Sequence, residues 1–226
     1  MAVPAPDPVA VRAASLDELR RLGLPLPPQN FPLVWERGDT VALRPVAELE
    51  ARAAILNMVL ARCFGMPREL AMSWLLDARL VDAVTPPEWS FVASGKGDQW
   101  SFALHLDALY ALAWLLGLVA HLDPLEPPAD GLVTLFPNLP EGESFTAWRS
   151  RTLSAPREPR EAAAMLDLYY CLDWAFLHAE QHGAPLPGRL DSNAMGQRRW
   201  ALEWAVLFTG PYHEPPVGWE EVDLSA

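Results

Sequence analysis

The chain has 226 residues, half of them hydrophobic (51%) and ten of them Trp, a composition that excludes a disordered polypeptide and suffices for a buried core. Its formal net charge of -12 argues against direct binding to nucleic acid or to anionic membrane, because phosphate groups attract Lys and Arg. The same charge suits a basic protein partner, and it also keeps a protein soluble.

In chain order, residues 1–10 are rich in Pro and Ala and are expected to be mobile. "SLDELRRLGL" sets Ser15 three residues before Glu18, a capping-box signature for a short helix. "PLPPQNFP" stops that helix, and "LVWERGDTVALRP" predicts a small hairpin around Gly38 and Asp39. Pro45 to Phe64 has Pro at its start, acids in its first turn and Gly65 past its end, the start and stop signals of a helix. "PRELAMSWLLDARLVDAV" is the next helix. Thr85, Pro86 and Glu88 then open a shorter one to about Ala93.

After the break at "GKGD", the segment Asp98 to Leu122 is apolar around most of its circumference, which predicts a central helix. Its longest apolar run, Ala108 to Ala120, is too short to span a bilayer. Leu132 to Pro159 is interrupted by Pro and is expected to hold a short strand, "LVTLF", and a turn of helix around Trp148. Two closing helices, Arg160 to Gln181 and Ser192 to Phe208, precede a tail ending "GWEEVDLSA". The expectation is an all-α fold: one multi-helix bundle over residues 11–226 with Pro-rich irregular connections. No signal peptide is evident in "MAVPAPDPVAVR". Cys63 and Cys171 cannot build a disulfide framework, so a cytoplasmic location is expected.

"FLHAEQHG" invites a metalloenzyme reading, with His178 and His182 four residues apart. A zinc-protease helix needs H-E-x-x-H, so that the two His share a face while the adjacent Glu polarises the bound water. Here the order is H-A-E-Q-H, which turns Glu180 to a different face, and no spacing nominates a third ligand among His105, His121 and His213. Gly183 instead marks a helix end. His105 and Asp107 are two apart and diverge on a helix. "SGKGD", with the only Lys, lacks the phosphate-cradling spacing. No G-x-S-x-G is present, and Cys171 in "LYYCLDW" is expected to be buried and inert. No metal site and no cofactor is therefore expected. The Trp and Tyr in "YYCLDWAF" and "RRWALEWAV" are expected in the core, with Trp200 and Trp204 on one face.

From about Arg20 to its end the chain resembles a bacterial family, domain of unknown function 4272. The resemblance rests on the order of "LGLPLPP", "AELEARAAILN", "VTPPEWSFVAS", "LDALYALAWLLGL", "MLDLYYCLDWA", "RRWALEWAV" and "GWEEVDLSA". It brings no activity, substrate or catalytic residue. It implies charged positions among the apolar helices, matched by Arg52, Asp107, Asp167 and Arg198, and hence an Arg–carboxylate network in the core. The chain departs from that pattern at His105 and Cys171, where Arg is expected, and at Asp173 and Glu203, where neutral or weakly basic polar groups are expected. Losing two arginines would damage catalytic machinery, whereas a scaffold tolerates it.

The expected function is accordingly a non-enzymatic binding protein, with an immunity protein that neutralises a basic, nucleic-acid-directed toxin domain as its specific form. Glu220, Glu221 and Asp223 in the tail, with Glu141 and Glu143 in "EGES", are the candidate contact residues. The alternative is a hydrolase or transferase whose pocket is lined by Arg52, Asp107, Asp167 or Arg198.

Overall fold

Pro is pre-shaped for the first turn of a helix, where its missing N–H is not needed, and this chain uses the device at Pro8, Pro86 and Pro159. The computed structural model describes residues 1–211 and 213–225. It begins with β1 (Val3–Pro4), α1 (Pro8–Leu22), β2 (Thr40–Leu43) and α2 (Val46–Cys63). Next come α3 (Arg68–Asp77), α4 (Pro86–Ser94), α5 (Gln99–Ala103), α6 (His105–Leu115) and α7 (Phe145–Thr152). The chain closes with α8 (Pro159–Gln181), α9 (Ser192–Ala205) and β3 (Val206–Thr209). The protein is mostly helical, 57%, as its apolar periodicity predicts. The last residue of "GWEEVDLSA", Ala226, lies outside the described residues.

The departures from expectation have local causes. Residues 1–10, expected to be mobile, supply β1 and the start of α1, because Asp7 Oδ1 accepts from the free N–H groups of Val9 (2.9 Å) and Ala10 (3.3 Å). Ser15 is thus not a cap but a buried mid-helix residue. The hairpin around Gly38 and Asp39 is absent among the described residues: β2 pairs antiparallel with β1 and with β3 instead. The segment from 98 to 122 is two helices, α5 and α6, and "LVTLF" is a 3-10 turn, Leu132–Leu135. The last helix gives way at Val206 to the strand β3, a β-branched start whose register sets Val41 opposite Phe208.

The chain divides into two compact units. The first holds residues 1–44, 121–127 and 157–226. Its core is the inner face of α8 against α1 and α9, with the three-stranded sheet at one side. Trp35 stacks on Phe208 with ring centroids 5.0 Å apart and donates its indole N–H to Pro6 O at 2.9 Å. A buried Trp needs such an acceptor.

The second unit holds residues 45–120 and 128–156. Its centre is α2, buried along most of its length, packed on α6, whose residues Ala108 to Leu115 are all buried. Small side chains such as Ala53, Ala54, Ala108 and Ala111 sit among the larger ones, which lets helices approach closely. Thr85 and Glu88 form the expected capping box: Thr85 Oγ1 accepts from Glu88 N at 3.4 Å, and Glu88 accepts from Thr85 N at 2.9 Å. Trp148 is fully buried and donates to Leu135 O at 2.8 Å.

Gly117 ends the α6 segment with φ 73°, and a Cβ there would stand 2.2 Å from Ala155 O. Gly117→Ala is expected to cost on the order of 2 kcal/mol or more, from left-handed strain plus that clash. Urea denaturation measures it; a midpoint unchanged from the parent would refute the assignment.

Candidate functional site

Charged groups persist in a core only with partners, and α8 carries two carboxylates on its buried face, Asp167 and Asp173. Asp167 is held by α1: Arg12 donates from Nη2 at 2.8 Å and from Nε at 3.1 Å, and Ser15 donates from Oγ at 2.7 Å. Arg12 also donates from Nη1 to Phe31 O and from Nη2 to Pro32 O. Asp173 is held by α9, where Arg199 Nη1 donates at 2.8 Å. Between the two carboxylates lies Tyr170, with the Arg199 guanidinium 4.4 Å and that of Arg12 5.6 Å from its ring centroid. Phe31 stacks on the same ring at 4.7 Å. Burial pushes the Tyr170 hydroxyl up, against the pull of Arg199 and Arg12.

The other expected charges are placed as follows. Arg198 is fully buried and donates to Asp123 O (2.5 Å), Glu126 O (2.9 Å) and Tyr169 Oη (3.3 Å). Arg52, in the second unit, forms a buried ion pair with Glu88 that locks α2 to the capping box of α4. Asp107 sits half-buried in the first turn of α6, two residues after His105. Asp167 and Arg198 belong to the first unit, Arg52 and Asp107 to the second. Cys171 is buried, and burial pushes its thiol up to about 12, while burial takes Cys63 to about 11. Burial thus disfavours the thiolate form of both at neutral pH.

The histidine stretch is a helix terminus. Gln181 is the last residue of α8, His182 Nδ1 lies 2.8 Å from His178 O, and Gly183 has φ 64°. The carboxylate of Glu180 holds the start of α9, accepting from Ser192 N at 2.9 Å and Ser192 Oγ at 2.5 Å. It staples the end of α8 to the start of α9.

An acidic recess of about 650 Å³ opens beside α9, lined by Glu203, His213, Glu214, Pro215, Glu221 and Asp223 among others. Two of the expected contact residues, Glu221 and Asp223, are in it; Glu220 is exposed outside its lining. Glu143 has its charge matched by Arg151 at 2.6 and 2.9 Å, and Glu141 stands exposed in the 3-10 turn Leu139–Glu141. Glu203 is the inner wall and accepts from Arg199 Nε at 3.2 Å, the same guanidinium that serves Asp173. Two carboxylates therefore share one guanidinium. Burial pushes the Glu203 carboxyl up, Arg199 opposes that, and the carboxylates of Asp173 and Asp223 add to the rise. Asp173 is likewise pushed up by burial, against the hydrogen bond and charge of Arg199. At the rim, His213 Nε2 donates to the buried Asp39 carboxylate at 2.7 Å, so its ring is oriented. Arg44 braces the backbone nearby, donating to Trp204 O at 2.6 Å and to O of Pro216, a lining residue. Chemically, the recess can hold a cation. Sequence reasoning missed Arg199, Glu214 and the Asp39–His213 pair, whose members are 174 residues apart.

The family model described as a domain of unknown function (DUF4272) matches residues 12–222, and the chain belongs to that family. No curated protein and no solved structure matches it.

Arg12→Ala strands the Asp167 carboxylate and is expected to cost about 3–5 kcal/mol. The double change Arg12→Met with Asp167→Leu removes both charges and is expected to cost less than the single one, despite deleting more polar contacts. Chemical denaturation of the three proteins decides it: a double variant less stable than Arg12→Ala rules out desolvation as the dominant cost.

Proposed function

We propose that the chain is a non-catalytic binding protein of the cytosol whose acidic recess takes a cationic side chain of a basic protein partner. The specific form we propose is an immunity protein that neutralises a basic, nucleic-acid-directed toxin domain. One observation carries the reading: Glu203, Glu214, Glu221 and Asp223 line one recess, and the Arg199 guanidinium that meets Glu203 also serves the buried Asp173, so carboxylates outnumber the nearby guanidiniums of Arg199 and Arg44. Such a group is short of positive charge, and an arriving Arg or Lys relieves it. The net charge of -12 supports the same reading, since it speeds the approach of a basic partner. The Arg12–Asp167 and Arg52–Glu88 pairs also support it: their charges are spent on each other. No helix among the described residues is long and apolar enough to cross a membrane.

The alternative, a hydrolase or transferase, draws on one feature, the Asp39–His213 pair at the recess. A proton-transfer role needs His213; cation capture does not.

The sign of the pH dependence follows from Glu203. Its carboxyl is raised, so on acidification it takes up a proton earlier than an ordinary Glu and loses the charge that attracts a cation. Affinity for an arginine-rich peptide, measured by calorimetry, is expected to weaken as pH falls towards and through the raised value. Glu203→Gln is expected to flatten that profile. Glu221→Gln with Asp223→Asn is expected to weaken binding by about tenfold, the effect of losing roughly 1.4 kcal/mol of charge pairing, and His213→Ala to leave it intact. For the immunity form, co-purification with a basic toxin encoded beside this protein, and protection from it, is the expected result. A flat pH profile together with no captured toxin would remove the proposal.

A further inference from the structure

The second unit contains a separate cleft of about 480 Å³, within the range of small-molecule sites. One wall is the outer end of α2, with Asn57, Leu60, Ala61 and Phe64; the other is formed by Val133, Thr134 and the run Pro137 to Pro140, with Arg151 at the side. The lining is mainly apolar. Phe64 stands 80% exposed at its mouth and Val133 47% exposed.

The polar groups in this wall are unequally satisfied. Arg151 is engaged three times, by both carboxylate oxygens of Glu143 (2.6 and 2.9 Å) and by Phe136 O (3.0 Å), so its charge is matched. Thr134 spends its proton on Gly131 O at 2.7 Å. Asn57 differs. It is 95% buried (5% exposed), and its Nδ2 donates to Pro137 O at 3.1 Å. A carbonyl only accepts, so this bond tells the two ends of the amide apart and leaves the oxygen on the other side. Among the described residues Asn57 Oδ1 accepts no hydrogen bond, and Asn57 lines the cleft. Such an acceptor in the wall of a cleft is met by water when the cleft is open and by a ligand donor when it is filled.

We propose that this cleft binds a neutral, largely apolar small molecule that carries a hydroxyl or N–H donor for Asn57 Oδ1. The apolar walls take the body of the molecule. Neutrality follows from Arg151, whose charge Glu143 already balances, so the cleft offers no free cation to an acid. The donor follows from Asn57: a ligand lacking one displaces water from Oδ1 and leaves it unpaired, which is the larger penalty. The site is independent of the acidic recess and stands or falls without it.

The test uses the full chain and a matched pair of probes, 2-naphthol and its methyl ether, titrated calorimetrically. They share an apolar body and differ in the O–H donor. Wild type is expected to bind 2-naphthol saturably and the ether roughly tenfold or more weakly, the usual effect of an unmet buried acceptor. Asn57→Leu is expected to bind both alike. Ala61→Trp, which keeps the Asn57 side chain but fills the cleft beside it, is expected to bind neither, and it keeps the test decisive if Asn57→Leu does not fold. Equal affinities in wild type, no saturable binding of 2-naphthol, or binding that survives Ala61→Trp would each overturn the proposal. So would a dimer that Phe64→Ser dissociates, since the mouth of the cleft would then belong to a second copy.

Discussion

The first unit is organised around an electrostatic constraint on one helix. The buried face of α8 presents Asp167 and Asp173, and a carboxylate in a core is tolerated only if a cation reaches it. Arg12 of α1 and Arg199 of α9 are those cations, and both guanidiniums reach the Tyr170 ring. The two helices that flank α8 are thereby specified in register as well as in position. A guanidinium placed one turn away would leave both its own charge and a carboxylate unmet. Apolar packing supplies most of the favourable free energy in such a core. The paired charges exclude the alternative registers that apolar packing alone would permit.

The two sides of α8 are not balanced alike. On the α1 side one guanidinium meets one carboxylate, with Ser15 adding a donor. On the α9 side one guanidinium meets two carboxylates, Asp173 and Glu203. That surplus of negative charge faces the recess where the tail contributes Glu221 and Asp223. Asp173 and Glu203 together create this surplus, and Glu203 carries it to the wall of the recess.

Much of the fold was legible because it is written locally. The boundaries of α2 and α8 and the capping box of α4 follow from Pro, Thr85, Glu88 and Gly signals within a few residues of each helix end. Where a distant partner decided the outcome, local reading failed. Ser15 carried a cap signature, but Asp7 was the better cap and Ser15 was drawn inward by Asp167, 152 residues away. Thr40–Leu43 was legible as a strand but not its neighbours, because β3 comes from beyond α9. Val206–Thr209 continued an apolar run and so looked helical until the edge of β2 offered it backbone partners.

The sequence by itself determined the helical class, most helix limits, the family and the inert setting of Cys171, since each depends on neighbours within one or two turns or on the order of motifs along the chain. It also marked Arg52, Asp167 and Arg198 as charges needing partners. Only the tertiary structure decided who those partners are, that Arg199 is shared by two carboxylates, that Glu143 is neutralised while Glu221 and Asp223 line a recess, and that Asn57 keeps an unpaired acceptor in a cleft. The reason is geometric. Coulomb and hydrogen-bond energies fall off over a few ångströms, and residues that close are separated here by up to 174 positions in the chain.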